Sequence, residues 1–186
     1  MTGDLPVKAV IPGGASAPLL TSIDIPMDFE ALKEAGTMLG SGAIVFMNDT
    51  TCMVRNALVT TEFFAHESCG KCTPCREGTW WAVKVLERIE HGEGRPEDMD
   101  LLHDIADGID GRSFCPLGDA ASWALRSNVK LFRDEFEQHV IDGRCPFEGE
   151  HLVLAGARTT SEGLGEAGVT PQPSEGISSD RDGDAS

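Results

Sequence analysis

Glu67-Ser68-Cys69-Gly70-Lys71-Cys72-Thr73-Pro74-Cys75-Arg76-Glu77-Gly78-Thr79 places three cysteines in a C-x2-C-x2-C run, and Cys115-Pro116-Leu117-Gly118 offers a fourth further along. A cubane iron–sulfur cluster takes four thiolates, and a tight triplet plus a remote Cys-Pro is a ferredoxin-like way to supply them. The geometry is a wrapping problem. A loop can bring three thiolates to three corners of one small cubane, whereas a regular helix would turn the third away from the first. Gly70 loosens the loop backbone, and Pro74 is expected to keep Thr73 out of the helical region. The fourth ligand, from another segment, ties two parts of the chain together through the metal. The spacing therefore predicts Cys69, Cys72, Cys75 and Cys115 as ligands of a [4Fe-4S] cluster.

Two other readings of the same cysteines stay open. Zinc also accepts four thiolates, although structural zinc usually draws on two separated C-x2-C pairs. A C-x-x-C redox pair is contained in the run, but no thioredoxin-like βαβ pattern surrounds it. Cys52 and Cys145 have no neighbour at ligand spacing and read as small buried hydrophobes or plain surface thiols. His66, His91, His103, His139 and His151 form no ligand-spaced group. Lys71 and Arg76 can tune the cluster electrostatically, or pair with Glu67 or Glu77. Phe114 and Trp80 read first as core aromatics and second as shields for the cluster.

The formal net charge of −16 argues against nucleic acid, which needs a basic face to neutralise phosphates. It also disfavours docking on anionic lipid. No stretch approaches the roughly 20 apolar residues of a membrane helix, and Met1-Thr2-Gly3-Asp4 is no secretory signal. A cytoplasmic, reducing setting is expected, in which six cysteines serve metal, catalysis or packing rather than disulfides. The chain contains no G-x-S-x-G, Walker A or G-x-G-x-x-G sequence.

The chain divides into three parts, and the expected fold class is α+β. In residues 1–60, Val7–Ile11 and Ala43–Met47 read as strands, Cys52-Met53-Val54 as a partner strand, and Asp28–Leu39 as a short amphipathic helix. This part is short for a self-contained β domain, because few strands cannot cover their own face. Residues 61–150 read as a small helical bundle. Its helices run from Thr79 to Ile89, from about Pro96 to Gly108, and from about Asp119 to Val140. Residues 151–186 are rich in Gly, Ser and Thr and read as a disordered acidic tail.

The thirteen residues from Glu67 to Thr79, with Cys115-Pro116-Leu117-Gly118, resemble the cluster signature of the flavoprotein subunit of respiratory complex I, NADH-quinone oxidoreductase. Pro12-Gly13-Gly14-Ala15-Ser16-Ala17-Pro18, Pro26-Met27-Asp28-Phe29 and Met38-Leu39-Gly40-Ser41-Gly42 fit as well. The resemblance implies that residues 1–60 are part of a ubiquitin-like β-grasp domain and residues 61–150 the [4Fe-4S] domain. It implies Cys69, Cys72, Cys75 and Cys115 as ligands, with the Cys115–Gly118 loop facing a flavin. FMN and NAD are expected only in an N-terminal domain that this chain lacks, so NADH oxidation is not expected of the chain alone. Implied partners are a flavin-binding domain or subunit and the other hydrophilic-arm subunits of complex I, with no direct membrane insertion. The implied location is cytoplasmic and peripheral, on the inner face of the membrane through the complex. Alternatives are a diaphorase subunit of an NAD-linked hydrogenase or formate dehydrogenase, a zinc-stabilised interaction module, and a non-functional remnant.

Overall fold

Val7–Ile11 (β1) is a β-branched run that pairs antiparallel with Val45–Asn48 (β2), in the register Val10↔Phe46 and Ile11↔Val45. A register shift lies between Val7 and Ala9. These are the strands of the sheet in the computed structural model, which describes residues 6–147. Val10 also bridges Leu20. The Pro12-Gly13-Gly14 turn lies against a second glycine turn. A Cβ on Gly13 would sit 2.5 Å from the Met38 carbonyl oxygen, so only glycine fits there. Phe29–Glu34 (α1) is capped by Asp28, whose carboxylate accepts the Ala31 N–H at 2.8 Å. It ends well before Leu39, because Gly36 takes a φ of +80° and breaks the expected longer helix.

The largest departure from expectation lies at Cys52–Val54. That segment is no strand; it opens the helix Met53–Glu67 (α2). Met53, Val54, Ala57, Leu58, Thr61 and Phe64 are its buried residues. Their recurrence at offsets of three and four is the helical period. The Cys52 sulfur caps the helix by accepting the Arg55 N–H at 3.3 Å.

Thr73–Glu90 (α3), Asp98–Ile109 (α4), Pro116–Leu131 (α5) and Arg133–Asp142 (α6) complete the helices among the described residues. The helix expected over Asp119–Val140 is two helices. Phe132 breaks it with φ −125° and ψ 29°, serving as the end of α5 and the start of α6. The fold is thus α+β, with five helices, α2 to α6, among the described residues where three were expected after the first short helix. The described residues fall within one unit, Met1–Leu152, and the expected tail from 151 onward lies outside them.

The main core joins α2, α3, α4, α5 and α6 through Leu58, Leu86, Ile89, Leu102, Val129 and Phe136. A second core joins Ala9, Ile11 and Met47 of the sheet to Met53 of α2. Glu135 locks this junction. It pairs with Lys8 at 2.6 Å and accepts the Met53 N–H at 2.5 Å. Asp98, fully buried, takes a bidentate pair from Arg88 and the Arg95 N–H at 2.8 Å. No helix of the described residues is long and apolar enough to cross a membrane.

Candidate metal centre

The cysteine loop sits where two helices begin. Cys72 is the N-cap of α3 and Cys115 the N-cap of α5, and neither sulfur makes a capping hydrogen bond. Thr73 is already helical, contrary to expectation, and Pro74 follows within the first turn. Proline is tolerated there because first-turn N–H groups need no intrahelical acceptor. Cys75 then falls in the first turn of α3, on the same side as Cys72 by i, i+3 spacing. Two helix N-termini present free N–H groups and partial positive charge to the same region, which suits an anionic occupant.

Contacts link the segments. The Phe114 N–H donates to Cys72 Sγ at 3.2 Å, bringing the loop before Cys115 onto the α3 cap. Ser68 Oγ lies 3.4 Å from Cys75 Sγ and accepts the Gly70 N–H at 3.3 Å. Gly70 holds a φ of +74°. Arg76 donates to the Gly70 carbonyl at 2.7 Å and pairs with Glu77 at 2.7 Å, so much of its charge is already offset. Lys71 is exposed. Cys75 is buried, Cys72 half-buried, and Cys69 and Cys115 exposed.

These residues fit the cluster. Its thiolates bind separate irons, so they ring a site rather than converge on a point. The side-chain hydroxyl of Ser113, beside Phe114 and Cys115, is buried with no hydrogen-bond partner among the described residues, leaving a donor for such a group. The aromatics are not core. Phe114 is 90% exposed, just before Cys115, and Trp80, five residues after Cys75, is 54% exposed.

Glycines hold the two helix starts together. Gly78 lies one turn beyond Cys75, and Gly118 one turn beyond Cys115. A Cβ on Gly78 would meet Ile109 Cγ1 at 2.5 Å, and one on Gly118 would meet Ile109 Cγ2 at 3.2 Å. The buried Ile109 side chain is therefore a pin seated against both glycines.

A second group of metal-type ligands went unseen in the sequence. Cys52, Glu90, His139 and Cys145 are all buried, and their ligand atoms lie within 4.8 Å of one another. Burial, with the Glu90 carboxylate adding to it, pushes the Cys52 thiol far above its ordinary range. No local spacing announces this group, because its members come from the cap of α2, the end of α3, α6 and the segment after α6.

Residues 55–139 match the family described as the NADH-ubiquinone oxidoreductase-F iron-sulfur binding region. The chain therefore carries an iron–sulfur binding region. It is 52% identical over 144 residues to the NADH-quinone oxidoreductase F subunit of Streptomyces coelicolor, covering 76% of this chain and 32% of that protein. To the corresponding F subunit of Mycobacterium tuberculosis it is 54% identical over 150 residues, covering 80% of this chain and 34% of the relative. Its fold resembles an NAD+-reducing [NiFe]-hydrogenase with a TM-score of 0.64 and 29% identity, over 72% of this chain and 23% of that one. Over about three quarters of its length the chain is thus similar to the F subunit of NADH-quinone oxidoreductases, and it spans about a third of the length of the curated relatives it matches.

Proposed function

We propose that Cys69, Cys72, Cys75 and Cys115 hold a [4Fe-4S] cluster through which electrons pass from a reduced flavin to a further iron–sulfur carrier. The observation that carries this reading is the meeting of the α3 and α5 N-termini, joined by the Phe114 N–H on Cys72 Sγ. The chemistry the cluster supplies is one-electron uptake and release, which splits a flavin's two-electron oxidation into single steps.

The chain's own residues set the site. The Phe114 N–H withdraws charge from the Cys72 thiolate, which favours the reduced state. The first-turn N–H groups of both helices act in the same sense. Arg76 fixes the Gly70 carbonyl and so the loop that presents Cys69 and Cys72. Exposed Phe114 and Cys115 make the α5 end the face for an incoming donor, an FMN- and NAD-binding domain or subunit. Residues 1–60 serve as part of a β-grasp domain beside it, and the assembly is the peripheral arm of complex I. The likeness to an NAD+-reducing hydrogenase favours one second reading, a diaphorase component of such an enzyme.

The test is reconstitution. The chain with iron and sulfide is expected to take up a reducible cluster and to show no NADH–ferricyanide activity alone. Cluster reduction by NADH should appear once a separately expressed flavin domain is added. A cluster that stays oxidised under that mixture, while dithionite reduces it, would refute the electron path from flavin.

A further inference from the structure

We propose that Cys52, Glu90, His139 and Cys145 form a second metal site, a tetrahedral zinc centre that clamps the end of the helical bundle away from the cysteine loop. Cys52 Sγ stands 3.3 Å from His139 Nε2 and 3.7 Å from Glu90 Oε2, and His139 Nε2 stands 3.8 Å from Glu90 Oε2. With Zn–S near 2.3 Å and Zn–N or Zn–O near 2.0–2.1 Å, the edges of a tetrahedral site are about 3.3–3.8 Å. These three atoms already stand at such separations, and the Cys145 sulfur lies within 4.8 Å of each of them.

The histidine is oriented as a ligand. His139 Nδ1 lies 2.7 Å from the Glu135 carbonyl oxygen, which accepts a proton and cannot give one. Nδ1 therefore carries the hydrogen, and the Nε2 lone pair faces Cys52 and Glu90. The other ligands are held too. Cys52 Sγ accepts the Arg55 N–H, and Glu90 turns Oε1 to Arg55 at 3.8 Å and Oε2 to Cys52 and His139. Cys145 arrives by way of Gly143, which has a left-handed φ of +61°. Gly92 packs so closely on the Gly143 carbonyl that a Cβ there would collide with it, which brings the segment after α6 down onto the end of α3.

The donor set selects the ion. Two thiolates and an imidazole reject calcium and magnesium, which take oxygen. Mixed S, N and O donors in a closed, fully buried site suit redox-inert zinc. Two thiolates and one carboxylate against Zn2+ leave one negative charge, which Arg55 offsets. The site joins the start of α2, the end of α3, α6 and the segment beyond it, about 22 Å along α3 from Cys75. It is independent of the cluster proposal, since no ligand is shared.

The experiment uses the full chain, expressed with zinc and reconstituted with its cluster without oxygen. Metal analysis should find one zinc per chain after gel filtration. Zinc-edge X-ray absorption should show two sulfurs at about 2.3 Å and two N or O neighbours at about 2.0–2.1 Å. The His139→Gln variant should bind zinc at least about tenfold more weakly while keeping its visible cluster absorption. Absence of zinc, a four-sulfur shell, or a Cys52–Cys145 disulfide in anaerobically purified protein would each overturn the proposal. Should His139→Gln not fold, the wild-type absorption spectrum decides.

Discussion

Replacing Gly78 with alanine sets two effects against each other. In a helix interior alanine is favoured over glycine by about 1 kcal/mol. Against that, the new Cβ lies 2.5 Å from Ile109 Cγ1 and 2.7 Å from Cδ1. Ile109 is buried and β-branched, so its χ1 is stiff. It also lies against Gly118, which limits any retreat. Overpacking costs about 1–3 kcal/mol, and two contacts this close point to the upper end. The net expectation is a destabilisation of about 2 kcal/mol. Ile109→Ala removes both opposing atoms at a cost of about 2–5 kcal/mol of its own. In that background Gly78→Ala should stabilise by about 1 kcal/mol, giving a coupling of about 3 kcal/mol. Urea unfolding of the four proteins, followed by circular dichroism, measures the cycle. A neutral or stabilising Gly78→Ala in the parent chain, or equal effects in both backgrounds, would refute the idea that Ile109 pins the two helix starts.

Other outcomes follow from single contacts. Asp98→Ala strips a buried partner from Arg88 and an acceptor from the Arg95 N–H, and should cost about 3 kcal/mol. A loss below about 1 kcal/mol in chemical denaturation would mean that the pair stabilises little. Gly92→Ala drives a Cβ into the Gly143 carbonyl at a φ of +76°, so it should lower the melting temperature and weaken zinc retention together. Zinc held as tightly as in the parent would contradict the placement of Cys145 by that contact. Burial, with Glu87 adding to it against Arg55 and Lys84, raises the Glu62 carboxyl. The folded state then holds its proton more readily, so this group's contribution to stability is lost as pH rises through the carboxylate range. Glu62→Gln should raise the melting temperature at neutral pH and make little difference in acid. The opposite pH trend would show that Glu62 is stabilised as an anion.

Local signals were legible and distributed ones were not. The C-x2-C-x2-C run could be read directly, because its geometry is set within a few residues. β1 was legible from its β-branched run. α2 was missed as a whole: Cys52-Met53-Val54 is a short apolar run that fits strand and helix alike, it was read as a strand, and no helix was expected over the residues that follow it to Glu67. Only Ala57, Leu58, Thr61 and Phe64 reveal the helical period. The break at Phe132 leaves no mark, since apolar residues continue at helical offsets into α6. Trp80 and Phe114 looked like core by residue type, yet both are exposed, as interface residues are. The group of Cys52, Glu90, His139 and Cys145 was hidden because the packing of α2, α3 and α6 assembles it from distant positions. Cysteines that look solitary in a sequence are read safely only once the fold has placed them.

The central claim rests on four cysteines and one cluster. Mössbauer and EPR spectroscopy of the reconstituted chain, before and after dithionite, tests it most directly when combined with iron and sulfide analysis. The account predicts four iron and four sulfide per chain and a paramagnetic signal on one-electron reduction, all lost when Cys75 or Cys115 is replaced by alanine. A chain without acid-labile sulfide, or an intact cubane in both variants, would contradict it.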